Sequence, residues 1–245
     1  MSTALVTGAA KGIGSGIAEA FARAGWSAVL VDRDAASLPQ SAKTLGAKVA
    51  TITGNVAERE VNDAAVRLAL ERFGRLDAVV ANAGVTLPKL IDDTTAEEFD
   101  RLFAVNVKAI MFLAQSSHRA LAESRGTFTV IASKTGLVAQ RNSPIYVATK
   151  GAAVQLARAL ALDWAPEGIR VNAVCPGIVD TPMLKEFIDA MPDPAASRRE
   201  HERAQPLGRL ATAAECAAAV LFLSSPAASF ITGVALPVDG GFTAE

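Results

Sequence analysis

Cysteine is nearly absent: Cys175 and Cys216 are the only two, they form no C-x-x-C spacing, and no histidine cluster accompanies them. Neither a disulfide framework nor a zinc site is indicated, and two buried thiols are expected. An excess of either charge is lacking too, because 24 Lys and Arg stand against 25 Asp and Glu for a net charge of -1. Without a basic stripe there is no footprint for nucleic acid, and a small-molecule ligand is the better expectation. Although 51% of the chain is hydrophobic, no uninterrupted apolar run reaches the roughly 18 residues a membrane span needs. The stretch from Met1 to Thr7 also lacks a basic segment followed by an apolar one, which points to a soluble cytoplasmic protein. No linker-like stretch breaks the 245 residues, so one domain over 1–245 is expected.

What the chain does contain is a rhythm. Short β-branched runs at Ala4 to Thr7, Ala28 to Val31, Lys48 to Ile52, Ala78 to Ala81, Thr127 to Ala132, Arg170 to Val174 and Val234 to Val238 alternate with amphipathic segments. One such segment places Val61, Ala64, Ala65 and Leu68 at helical spacing. Strand, helix, strand, helix implies a parallel sheet covered on both faces, an α/β fold. Thr95-x-x-Glu98 and Thr212-x-x-Glu215 fit the capping box that opens a helix. The segments from about Ala96 to Leu121 and from about Pro144 to Trp164 are apolar over more than one stripe, so a partner subunit is expected to cover part of them.

Chemistry concentrates in two places. Tyr146-Val147-Ala148-Thr149-Lys150 sets a phenol and an ammonium one helical turn apart on the same face. A phenol of ordinary pKa near 10 is a poor base at neutral pH, but a neighbouring cation favours the phenolate. Near the other end, Thr7-Gly8-Ala9-Ala10-Lys11-Gly12-Ile13-Gly14 follows the first strand and opens the first helix. That is the context in which backbone N–H groups meet a pyrophosphate. Asp32 closes the second strand, where a carboxylate accepts bonds from both adenosine ribose hydroxyls and repels a 2'-phosphate. NAD is therefore expected over NADP, although Lys11 and Arg33 supply cations that pull the other way.

Thr7-Gly8-x-x-x-Gly12-x-Gly14, Asn82-Ala83-Gly84, Asn106, Ser133, Tyr146-x-x-x-Lys150 and Pro176-Gly177 occur in this order, followed by Ile231-Thr232-Gly233 and Val238-Asp239-Gly240-Gly241. In this the chain closely resembles the short-chain dehydrogenase/reductase family, in its form of about 250 residues, over nearly its whole length. The resemblance implies a doubly wound Rossmann sheet of seven parallel strands, ordered 3-2-1-4-5-6-7, with helices on both faces. It implies a secondary alcohol and ketone interconverted by hydride transfer, with Tyr146 as general acid/base and Ser133 holding the substrate oxygen. Lys150 would hold the nicotinamide ribose and lower the Tyr146 pKa, and Asn106 would anchor a water linking Lys150 to solvent. Gly8, Lys11, Gly12, Ile13, Gly14, Asp32, Asn55, Val56, Asn82, Ala83 and Gly84 would bind the adenosine and pyrophosphate side. Pro176, Gly177, Ile178 and Thr181 would wrap the nicotinamide. Asn55 stands where many members carry Asp, yet its amide oxygen still accepts a bond from the adenine amino group. The usual N-N-A-G is Ala81-Asn82-Ala83-Gly84 here.

The family likeness makes the stretch 184–205 a substrate lid, whose charged run Arg198 to Arg203 reads as a solvated helix face, with His201 in solvent. Gln140, Arg141 and Asn142 lie close enough to Tyr146 in sequence to reach a pocket, and suit a hydroxylated or carboxylated substrate, such as a polyol or sugar. A homotetramer is implied. Two other functions compete. A 3-oxoacyl carrier-protein reductase would need NADPH and a basic docking patch, for which Lys11, Arg33 and Arg141 are the only hints. A non-catalytic dinucleotide sensor should have lost Ser133, Tyr146 or Lys150, and all three are present.

Overall fold

A computed structural model describes residues 1–46 and 48–244. The strands are β1 (Thr3–Thr7), β2 (Ser27–Asp32), β3 (Val49–Thr53), β4 (Ala78–Ala81), β5 (Thr127–Ile131), β6 (Arg170–Pro176) and β7 (Ala235–Val238). All pair in parallel, in the order β3-β2-β1-β4-β5-β6-β7, so the expected sheet is observed, its strand ends displaced by one or two residues. The helices between them are α1 (Gly12–Arg23), α2 (Leu38–Leu45), α3 (Arg59–Phe73), α4 (Ala96–Phe103), α5 (Ala109–Ser124), α6 (Pro144–Trp164), α7 (Pro182–Asp189), α8 (Pro194–Arg203) and α9 (Ala213–Ser224).

Because successive strand side chains point to opposite faces, each strand feeds two cores. Leu5, Val29, Val79, Phe128 and Val171 pack on α3, α5 and α6 through Ala65, Ile110, Leu113 and Ala157. Ala4, Val6, Leu30 and Val80 face α1, α2 and α9 through Ile17, Phe21, Leu38 and Val220. Strands buried on both faces read as continuous Val, Ile and Ala runs for this reason. Both cysteines are free and buried in these layers. Among the described residues no helix is long and apolar enough to cross a membrane.

Two local features differ from the sequence expectation. The helix expected from Ala96 to Leu121 is interrupted at Ala104–Lys108 by a turn of π-helix, which separates α4 from α5. Such bulges recur at functional sites because they re-aim a side chain without breaking the helix; here the re-aimed residue is Asn106. The stretch 184–205 is helical through most of its length, α7 and α8 each starting with a proline behind a side-chain cap, Thr181 and Asp193. Both capping boxes form as expected, at Thr95 with Glu98 and at Thr212 with Glu215.

Candidate active site

The strand order reverses between β1 and β4, and a crevice opens at their carboxyl ends, where ligands bind in sheets of this kind. The loop after β1 is shaped by what a side chain would hit. A Cβ on Gly14 would lie 2.0 Å from the Gly8 carbonyl oxygen, and Gly8 itself adopts a left-handed φ of 64° with a Cβ position 2.9 Å from the Ala83 backbone. Only glycine fits either place. Thr7 Oγ1 accepts from the N–H groups of Asn82 and Ala83, and Asn82 Nδ2 donates to the carbonyls of Thr7 and Gly8. Both amide hydrogens of Asn82 are thus spent on fixing the loop, so Asn82 shapes the crevice through its backbone partners.

Asp32 ends β2 beside this loop. One carboxylate oxygen accepts from the Ala10 N–H and the other from the Asp34 N–H, both at 2.9 Å. The group is held rigidly at the rim with lone pairs to spare. Lys11 lies at 2.7 Å from Asp34, and that contact holds the Asp34 carboxyl well below the usual range. Arg33 is exposed. On the far side, Asn55 Oδ1 accepts from the Ala57 N–H in a turn beside buried Val56. Ile13 is half-buried at the head of α1. Thr181 approaches the glycine loop closely: a Cβ on Gly12 would sit 3.4 Å from its methyl group.

Ser133 caps a short 3-10 turn (134–136) at the end of β5, its hydroxyl accepting from the Thr135 N–H. Ser133 is also the neighbour that works against the rise in the Tyr146 pKa. Tyr146 and Lys150 lie on α6, with the Lys150 ammonium 5.8 Å from the phenol ring centre and only 6% exposed overall. Lys150 Nζ donates to the Ile131 carbonyl at 3.0 Å and stands 3.5 Å from the place a Cβ on Gly84 would take. The tightness is general, since a Cβ on Gly136 would meet the Lys150 carbonyl at 2.7 Å.

The electrostatics correct one expectation. Burial raises the Tyr146 pKa, and the effect that opposes the rise is the Ser133 hydrogen bond, not the Lys150 charge. Lys150 is itself pushed down to about 8 by burial. Asn106 is also differently engaged: Oδ1 accepts from Val85 N–H, while Nδ2 donates to the Val85 carbonyl and to Thr149 Oγ1. Its side chain ties the Gly84-Val85 loop to α6 and has no amide hydrogen left for a water.

Sequence reasoning missed Gln205, a buried side chain just after α8. Its oxygen accepts from the Ile178 N–H at 2.8 Å, and its amide donates to the carbonyls of Ile178 and Arg209. It therefore fixes the turn after Pro176 and Gly177; nothing in a charged, proline-broken stretch marked it. His201 was expected in solvent, but its ring is half-buried against Phe187 and bonded to the Ser197 carbonyl. His118 stacks on Trp164 and pairs with Glu167 on the protein's outer side, and Gln140, Arg141 and Asn142 are exposed.

The family model described as enoyl-(acyl carrier protein) reductase matches residues 8–243. The chain is 40% identical over 238 residues to L-fucose dehydrogenase of Bos taurus, covering 97% of this chain and 87% of that protein. It is 36% identical to 2-(R)-hydroxypropyl-CoM dehydrogenase of Xanthobacter autotrophicus, covering 98% of each. The chain belongs to the short-chain dehydrogenase/reductase family. A solved member of similar shape, a 3-ketoacyl-(acyl-carrier-protein) reductase from Brucella melitensis complexed with NADH, superposes with a TM-score of 0.92 at 36% identity, covering 99% of this chain and 98% of that one. As a short-chain dehydrogenase/reductase, this protein is an NAD(P)-dependent oxidoreductase acting on CH–OH groups.

A buried ammonium in such an enzyme is kept at the expense of stability, and the sign can be tested. Unfolded, the Lys150 amine holds its proton up to about pH 10.4, whereas folded it releases it near 8. Between those values the unfolded chain binds more protons, so folded stability gains with rising pH. Lys150→Met should be at least as stable as wild type in urea at pH 7, and that relative advantage should shrink between about pH 8 and pH 10. A difference that stays constant across the window would show that the amine is not desolvated.

Proposed function

We propose that this enzyme oxidises a hydroxylated secondary alcohol, a polyol or sugar, with NAD, or runs the reverse ketone reduction, and that Tyr146 is its general acid/base. The observation that carries this is the grouping of Ser133, which lowers the Tyr146 pKa, with Tyr146 and with buried Lys150 one turn along the same helix. Ser133 would hold the carbinol oxygen while Tyr146 takes its proton, the task a phenolate performs in alcohol oxidation. When bound, the nicotinamide supplies the hydride acceptor. The glycine turn fits such a dinucleotide, because it folds tightly ahead of α1, whose first-turn N–H groups have no side-chain cap. Gly8, Gly12, Ile13 and Gly14 would hold the pyrophosphate, and Asn55, Val56, Asn82, Ala83 and Gly84 would line the adenosine side. Pro176, Gly177, Ile178 and Thr181 would wrap the nicotinamide, and Lys150 would turn from Ile131 to the ribose. Asn106 would serve by holding Gly84-Val85 and Thr149 on either side of Lys150.

Asp32, fixed at the rim by two backbone N–H groups, favours ribose hydroxyls over a 2'-phosphate, and Lys11 is neutralised by Asp34. That neutralisation also removes one of the three cations on which a carrier-protein reductase would rely, so NADPH and acyl carrier protein are the weaker reading. Leu162 is 79% exposed on α6 and Phe230 fully exposed after α9, which supports self-association as a homotetramer of a cytoplasmic enzyme. Light scattering should give about four times the 25.3 kDa chain mass; a monomer at micromolar concentration would refute it.

The function is tested by steady-state turnover on a panel of alcohols and polyols with each cofactor. Wild type should prefer NAD by about tenfold or more in kcat/KM, which needs only about 1.4 kcal/mol. Asp32→Ala should shrink or reverse that preference, leaving Arg33 free to meet a 2'-phosphate. Tyr146→Phe should bind NAD yet lose at least about 100-fold in kcat. Wild-type turnover in Tyr146→Phe would remove the phenol from the mechanism.

A further inference from the structure

Immediately after Ser133 the chain buries most of a second lysine side chain, whose ammonium the mechanism above does not use. Lys134 is 7% exposed, and its Nζ stands 3.3 Å from the ring centre of Phe242 in the terminal turn (242–244). Among the described residues it donates no hydrogen bond. The nearby carboxylate, Asp239, is engaged elsewhere: it accepts from the N–H groups of Gly241 and Thr243 and from the Thr243 hydroxyl. The next residue, Thr135, also buries its hydroxyl without a partner. An ammonium taken out of water is costly unless paired and hydrogen-bonded, and one aromatic face offsets only part of that cost. Three unused donors on a mostly buried cation therefore describe a half-built site.

The Lys134 backbone is at the carboxyl edge of the sheet, directly after Ser133. There the ends of β5, β6 and β7 converge: a Cβ on Gly177 would sit 2.7 Å from the Asp239 backbone and 2.3 Å from Gln205, the residue that anchors the lid segment. We propose that Lys134 is a specificity-determining residue that binds a carboxylate on the substrate, so that the preferred substrate of this site is a hydroxy acid. A carboxylate would supply the acceptors that the ammonium lacks, and the Phe242 ring would keep the side chain extended toward it. A neutral polyol would leave the ammonium with only the Phe242 ring and the more distant charge of Asp239.

The inference rests on the alcohol-oxidising function, so its test reads binding and needs no turnover. NAD-loaded enzyme is titrated calorimetrically at pH 7 with a six-carbon aldonate and with the alditol of the same chain length. Affinity for NAD, measured on the same samples, shows that each variant is folded. Wild type should bind the aldonate at least about tenfold more tightly than the alditol. That gap should close in Lys134→Met and in Lys134→Gln, which keeps a donor but drops the charge, and most of it should remain in Lys134→Arg. Equal affinities in wild type, no binding of either compound, or an unchanged gap in the neutral variants would overturn the proposal. Failure of the function itself would appear elsewhere, as full turnover in Tyr146→Phe.

Discussion

The structure depends on where it puts one charge. Lys150 Nζ is inserted between α6 and the end of β5 and bonded to the Ile131 carbonyl at 3.0 Å. That contact pins α6 to the sheet. Gly136 lets the turn after Ser133 lie against α6, and Asn106 fastens the loop after β4 to Thr149 next door. Such a group weakens the fold in exchange for a cation at a fixed point, a common bargain at functional sites.

The cofactor half of the crevice is built on an opposite principle. Its groups are mostly the uncapped N–H donors of α1 behind a tightly packed glycine turn, and the charged side chain at its rim, Asp32, is immobilised by Ala10 and Asp34. Rigid, uncharged and open suits a ligand that brings its own charge. The half around Ser133, Tyr146 and Lys150 is instead crowded and partly desolvated, which is why burial raises Tyr146 and lowers Lys150 at once.

Much of this was legible in the residues. The alternation of β-branched runs with helical spacing carried the seven strands and their covering layers, because strands buried on both faces tolerate little else. Glycine spacing, Asp32 and Tyr146-x-x-x-Lys150 located both halves of the crevice, since each demands a residue type that few others replace. What remained hidden depends on three-dimensional partners. The π turn at Asn106 leaves no periodic mark, and the targets of Asn82, Asn106 and Gln205 are distant backbone atoms. The direction of the Tyr146 shift is set by how deeply the phenol is buried, which spacing alone does not reveal. Lys134 carries no mark in the sequence, because the ring it lies against, Phe242, comes more than a hundred positions later.

The central claim is that Ser133, Tyr146 and Lys150 become an acid/base unit only once a dinucleotide draws Lys150 away from Ile131. Tyr146 is the single tyrosine of the chain, so tyrosinate absorbance near 295 nm reports this one group without admixture. The free enzyme should titrate above the ordinary value of about 10, as its burial dictates, and saturation with NAD should move the midpoint clearly below it. A midpoint that NAD leaves where it was would contradict the account.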